Sequence, residues 1–182
     1  MKHKRESMSR NFIVVIDGPM GSGKTTIGDL IHKKLKRTAL LSMDKIKWFV
    51  SDFKRSRRDN AITNAVLMRM CDEYLNQGIR LIITQGFWED NKSPFVSPAD
   101  FKALAKKHKA RFHFYQLDAS KDVLLRRIQK RKTEARTPIA KTRVFRNIRL
   151  WKRNKYSADK IFETDKMSAD SITNLIIKEI NS

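Results

Sequence analysis

The stretch that most constrains this chain is FIVVIDGPMGSGKTTIGDL, from Phe12 to Leu30. Asn11–Asp17 is an unbroken β-branched apolar run, the pattern of a strand covered on both faces by other elements of a parallel sheet. Directly after it, GPMGSGKT (Gly18–Thr25) fits G-x-x-x-x-G-K-[ST] at every position. Glycines admit the backbone angles that turn successive N–H groups toward one point. The helix that follows brings its positive dipole end to the same place. A strand, a turn of this kind and a helix together make a seat for phosphate groups.

The candidate cradle is Gly18, Pro19, Met20, Gly21, Ser22, Gly23, Lys24, Thr25 and Thr26. In such a loop the lysine, Lys24, reaches the β/γ-phosphates of a nucleoside triphosphate, and the Thr25 hydroxyl binds Mg²⁺. ATP and Mg²⁺ are therefore the expected cofactors. After the turn, Ile27, Leu30, Ile31 and Leu35 fall at helical spacing.

The remaining pattern alternates strands with helices. Thr38–Met43 reads as a second strand and DKIKWFVSDF as a helix. FKRSRRD reads as an exposed loop. Asn60–Asn76 reads as an amphipathic helix whose stripe is Ile62, Val66, Met70 and Tyr74, ending at Gly78. Ile79–Thr84 is a third strand. In SPAD, Ser97 caps a helix with Pro98 at its first position and Asp100 in its first turn. Phe112–Asp118 is a fourth strand, Ser120–Lys130 a helix, and Lys160–Thr164 a fifth strand. A helix runs through Phe145, Ile148 and Trp151, and Ser168 caps a last one. The fold class is α/β with a mainly parallel sheet.

At 182 residues this is one domain, 1–182, with a basic tail over 1–10 and enough chain for a real core. The single cysteine, Cys71, cannot form an internal disulfide, which fits a reducing compartment. No apolar run is long enough for a membrane span, and the first residues lack the apolar core of a signal peptide. A cytoplasmic protein, monomer or dimer, without a membrane partner is expected. Lys and Arg number 40 against 19 Asp and Glu, a net charge of +21. That field concentrates nucleotides, sugar phosphates and nucleic acids alike without choosing among them.

Two functional classes are excluded. A GTPase needs N-K-x-D to read guanine, and Asn91-Lys92-Ser93-Pro94 lacks the aspartate. Helicases and large motor ATPases need more chain. Two features favour a phosphotransferase. Asp44 follows the second strand at the carboxyl edge of the sheet, where a carboxylate can take the proton of an attacking hydroxyl; it could equally cap the helix that follows. In LLRRIQKRKTEAR, Arg127 and Arg131 are four apart on one helix face and can converge on one anion.

With GPMGSGKT, the SMD of Ser42–Asp44 and R-x-x-x-R at Arg127 and Arg131, the chain resembles the P-loop small kinases of the nucleoside-monophosphate-kinase fold. Gluconate kinase, chloramphenicol phosphotransferase and the kinase domain of polynucleotide kinases are the nearer likenesses, from Asn11 onward. The resemblance implies a five-stranded parallel sheet in the order 2-3-1-4-5, helices on both faces, a mobile lid over ATP (here 132–157), and Thr164–Lys166 beside the adenine. It departs at Thr84-Gln85-Gly86, where many P-loop proteins carry an acid; the metal is then left to Thr25, ATP oxygens and waters, oriented by Asp44 or Asp17.

The expected reaction moves the γ-phosphoryl group of ATP to a hydroxyl of a small-molecule acceptor. Lys24, Asp44, Arg127 and Arg131 are the catalytic set, and Lys47, Arg55 and Trp88 are acceptor-side candidates. The excess basic charge of FKRSRRD and of the lid keeps nucleic acid open as the acceptor of a 5′-hydroxyl polynucleotide kinase, or as the ligand of a nucleotide-gated binding module without transfer. Cys71, His32 and His113 read as structural.

Overall fold

A computed structural model of the chain describes residues 11–54, 56–87, 96–134, 141–153 and 156–182, the side chains of 131–134 and 141 excepted. Five strands, β1 (Phe12–Asp17), β2 (Thr38–Leu41), β3 (Arg80–Thr84), β4 (Arg111–Asp118) and β5 (Lys160–Glu163), form one sheet in the order β2-β3-β1-β4-β5. Every pairing is parallel, with Ile13 opposite Leu81 and Phe112 at the centre. β1 is buried along its whole length because it is the middle strand with helices on either side.

The alternation along β1 divides the core. Phe12, Val14 and Ile16 face α1 (Lys24–Lys34) and α7 (Ala169–Asn181), meeting Ile27, Ile31, Ile172 and Ile176. Ile13 and Val15 face the other way, toward Leu67 and Cys71 of α3 (Arg57–Asn76) and Phe101 of α4 (Pro98–Lys107). Cys71 is buried, and burial pushes its thiol up to about 12, the environment of an inert apolar filler. A third, smaller cluster joins α5 (Lys121–Glu134) to α6 (Lys141–Arg153) through Leu124, Ile128, Val144 and Ile148, with Met20 packed on it.

Local signals hold well at some ends. At the start of α4 the Ser97 N–H and hydroxyl both donate to Asp100 Oδ2, at 2.7 and 2.8 Å. Ser168 caps α7 by accepting from the Ser171 N–H. Gly78, φ 69°, follows the end of α3 in the left-handed region.

Elsewhere the structure corrects the reading. β2 stops at Leu41, and Met43 opens a short helix, α2 (Met43–Ile46), followed by a 3-10 turn at Lys47–Phe49 rather than a helix through Phe53. The loop FKRSRRD is shorter than expected: Ser56 caps α3 through the Asp59 N–H, so Arg57 and Arg58 lie in its first turn. The phase of α3 also differs. Ile62, Val66 and Tyr74 are exposed, while Thr63, Asn64, Leu67, Cys71 and Leu75 face the sheet. Thr63 is compatible with burial because its hydroxyl donates to the Asp59 carbonyl one turn back.

Asp17, at the end of β1, is fully buried. Its Oδ1 accepts from the N–H of Gly18 (2.6 Å) and of Phe87 (2.9 Å). Its Oδ2 accepts from Gln116 Nε2 (3.0 Å) and Trp151 Nε1 (2.9 Å). Burial pushes the carboxyl upward, while these bonds and the Lys24 ammonium pull it back. The net effect holds the carboxyl above the usual carboxylate range, and the four N–H bonds that converge on it favour its ionised form. Trp151→Phe deletes the N–H donor and replaces the indole by a smaller ring; a loss of about 1–3 kcal/mol in folding free energy is expected in a denaturant melt. An unchanged midpoint would remove the indole bond from the account.

Candidate active site

The loop Gly18–Gly23 leaves β1 and enters α1 with its backbone tightly committed. The Gly18 N–H goes back to Asp17, and Lys24 Nζ donates to the carbonyls of Gly18 and Pro19 at 2.7 and 2.9 Å. Pro19 has no N–H, and the Met20 N–H donates to Asn147 Oδ1 of α6 at 3.0 Å. The Ser22 N–H donates to the Pro19 carbonyl at 3.2 Å, so the Gly18, Met20 and Ser22 amides of the predicted cradle are all engaged within the protein. Thr25 and Thr26 are exposed in the first turn of α1. A Cβ on Gly18 would stand 2.5 Å from both the Leu117 carbonyl and Ser22 Oγ, so β4 comes too close for any side chain there.

Beside Gly21, Ser22, Gly23 and Thr26 lies a cavity of about 440 Å³, whose far wall is Thr164, Met167, Ser168, Ala169 and Ile172. It combines a polar backbone edge with an apolar side of the size a small ligand needs. Thr164 lies beside it, where the family likeness expects the base.

Arg127 lines the same cavity, held by Nη1 to Thr164 Oγ1 (2.8 Å) and Gly21 O (3.4 Å) and by Nη2 to Thr164 O (2.6 Å). It bridges the end of β5 to the loop. The side chain of Arg131, one turn further along α5, lies outside the described residues, as do Arg55, Trp88 and the tail over 1–10.

Asp44 sits in the first turn of α2, two residues past the position occupied by Ser42 at its N-terminus, so the cap reading is corrected. Its carboxylate is 89 % exposed and pairs with Lys47 Nζ at 3.1 Å. Lys47 and Asp44 therefore lie together, at the carboxyl end of β2. Trp48 and Phe49, next in sequence, are exposed.

An Mg²⁺ ion at the cradle would find few protein ligands. Asp17 is surrounded by internal donors and does not serve it, which corrects the expectation that this side chain orients the metal's waters. Gln85, buried after β3, is neutral, and its Nε2 contacts Met43 Sδ at 3.9 Å. The exposed Thr25 hydroxyl is consistent with an Mg²⁺ ion whose other ligands come from phosphate and water.

Sequence reasoning missed Asn147, Gln116 and the polar end of Trp151. Trp151 carried only an apolar signal, and nothing local to Asn147 or Gln116 reveals a partner more than 90 residues away in sequence.

The sequence profile of the AAA domain family matches residues 13–152. No curated protein sequence matches. Among solved structures, an unliganded sugar kinase from Janibacter sp. HTCC2649 is 15% identical, covers 93% of this chain and 93% of its own, and superposes with a TM-score of 0.63. The tunicamycin resistance protein of Deinococcus radiodurans is 15% identical over 94% of this chain and 96% of its own, with a TM-score of 0.61. The Mycobacterium tuberculosis APS kinase CysC, solved with AMPPNP and APS, is 19% identical over 95% and 99%, with a TM-score of 0.60. The shared architecture is that of the P-loop small kinases. Gly18→Ala should cost about 1–3 kcal/mol of stability through the clash with Leu117. A denaturant midpoint equal to the parent's would mean that β4 yields at no cost.

Proposed function

The chain belongs to the AAA domain family, and from that premise we propose that it is an ATP-dependent phosphotransferase that moves the γ-phosphoryl group to a hydroxyl of a small-molecule acceptor. The observation that carries this reading is the complete phosphate loop, opening on one side to a cavity suited to a nucleoside. Lys24 leaves the Gly18 and Pro19 carbonyls for the β/γ-phosphates, exchanging two neutral acceptors for charged ones. Thr25 holds Mg²⁺, which neutralises phosphate charge when bound.

Asp44 orients or deprotonates the acceptor hydroxyl. Its exposure leaves it accessible, and Lys47 beside it can steady an anionic acceptor. Arg127, tied to Thr164 and Gly21, shapes the nucleotide side of the cavity; contact with the phosphates requires it to leave Thr164. Arg131, one turn on, is the complementary guanidinium for the group in flight. Arg55 and Trp88 belong to the acceptor side in this reading. Segment 132–157 acts as the lid, with α6 its anchored part. The reaction proceeds by positioning and electrostatics.

A second reading, a 5′-hydroxyl polynucleotide kinase, is favoured by the outer face of α6. Arg143, Arg146, Arg149, Lys152 and Arg153 are all exposed there, and no acid lies in Lys141–Arg153. It predicts acceptor binding that weakens steeply with salt.

Transfer of labelled γ-phosphate should be measured with Mg²⁺, using pooled small hydroxyl compounds and 5′-hydroxyl oligonucleotides at low and moderate salt. Label on a small compound supports the first reading, and label on oligonucleotide ends replaces it with the second. Nucleotide binding without label on any acceptor sinks both and leaves a nucleotide-gated binding module. Asp44→Asn should retain ATP binding and lower transfer about 10²-fold or more. Unchanged turnover would remove Asp44 from the mechanism.

A further inference from the structure

We infer that Asn147 is a phosphate-binding residue contributed by α6: its Oδ1 fixes the Met20 amide, and its Nδ2 donates to the terminal phosphate of the bound triphosphate. The inference rests on the ATP reading above and adds to it a residue that the loop motif does not contain.

Asn147 lies on the buried face of α6, four residues before Trp151 and beside Val144 and Ile148. A residue there needs only to be apolar to pack, and a buried amide is costly unless its polar atoms are used. One use is visible: Oδ1 accepts from the Met20 N–H at 3.0 Å. This contact also fixes the orientation of the amide. Met20 offers a donor, so the oxygen must face it, and the two Nδ2 donors are directed elsewhere.

The position along the loop selects the phosphate. The cavity on the nucleoside side begins at Gly21. Lys24 Nζ rests at the opposite end, on the carbonyls of Gly18 and Pro19, immediately before Met20. In loops of this type the lysine marks the β/γ end. Asn147 is therefore bound to the loop where the terminal phosphate arrives, not where the base sits.

The chemistry also suits that place. Carboxylates are not offered to the incoming charge, since Asp17 is engaged internally and the residue after β3 is the neutral Gln85. A neutral amide can donate to a dianionic group, whereas a carboxylate at the same position would repel it. The Trp151–Asp17 bond, one turn along α6, holds this face of the helix against the cradle.

The donor is separated from mere support by Asn147→Ala and Asn147→Gln, since a carboxylate there repels phosphate whether or not the amide donates. Asn147→Asp keeps an oxygen for Met20 and exchanges the donor for a negative charge, while Asn147→Ala removes both. Affinities of the whole chain for ATP and ADP, with Mg²⁺, would be measured by calorimetry beside thermal melts. Expected for Asn147→Asp is a lowered melt, because a charge enters a buried position, with near-parent ADP affinity and ATP affinity lower by about tenfold or more. Asn147→Ala should also lose ATP affinity selectively, and Asn147→Gln should recover part of it. Equal ATP affinity in Asn147→Asp and the parent overturns the inference and leaves Asn147 a structural cap. An equal loss of ATP and ADP overturns its assignment to the terminal phosphate. If Asn147→Asp does not fold, the ATP/ADP ratio of Asn147→Ala decides: a parental ratio overturns the inference. A parent chain that binds neither nucleotide refutes the underlying ATP reading, an outcome seen before any variant is compared.

Discussion

The carboxylate of Asp17 is the interaction on which the rest depends. A negative charge this deep is tolerated only when its hydrogen-bonding capacity is met. Here four separate parts of the chain meet it: the first amide of the phosphate loop, the Phe87 amide after β3, Gln116 on β4 and Trp151 on α6. Sheet register sets Gln116 opposite Asp17 and aromatic packing holds Phe87 nearby, and the carboxylate joins them to the loop and to α6. Loss of any one leaves a buried charge less well solvated, so the loop, the two neighbouring strands and the helix behave as a unit.

The consequence reaches the chemistry through geometry. Because Asp17 holds the Gly18 amide, the loop departs from β1 at a fixed angle, and Gly18 must be small where Leu117 crowds it. Because Asp17 holds Trp151, α6 lies against the cradle, and Asn147 reaches Met20. Arg127 then closes the other side by joining Gly21 to Thr164. The phosphate seat is thus braced from two helices distant in sequence, a form of preorganisation that reduces the reorganisation needed when an anion enters.

Legibility in the sequence followed the range of the interactions. β-branched runs revealed the strands, and Ser97-Pro98-Ala99-Asp100 revealed a helix start, because both signals are complete within a few residues. The loop motif was read in full for the same reason. On α3 the period was right and the phase was not: Thr63 and Asn64 face the sheet while Ile62 and Val66 face solvent. Hydrophobic spacing finds a helix but cannot orient it when polar residues are buried. Trp151 could be counted as apolar, but its N–H partner is 134 positions away. Asp44 was placed correctly at the edge of the sheet, yet its pairing with Lys47 depends on where β2 actually ends.

Charge completes the argument. Asp17 stands close to where phosphates are expected, but its four donors hold the carboxyl group inward. Gln85 adds no charge. Beside Asp17 stand the Lys24 ammonium, resting on the Gly18 and Pro19 carbonyls, and the start of α1. In a chain of net charge +21, an anion in the cradle therefore meets inward-pointing dipoles nearby and a positive field further out. The same electrostatics account for two otherwise separate features. The cradle presents no acid to an incoming phosphate, because Asp17 is turned inward and Gln85 is neutral. Any carboxylate required for chemistry must instead stand apart from the phosphates, and Asp44, exposed at the end of β2, occupies such a position.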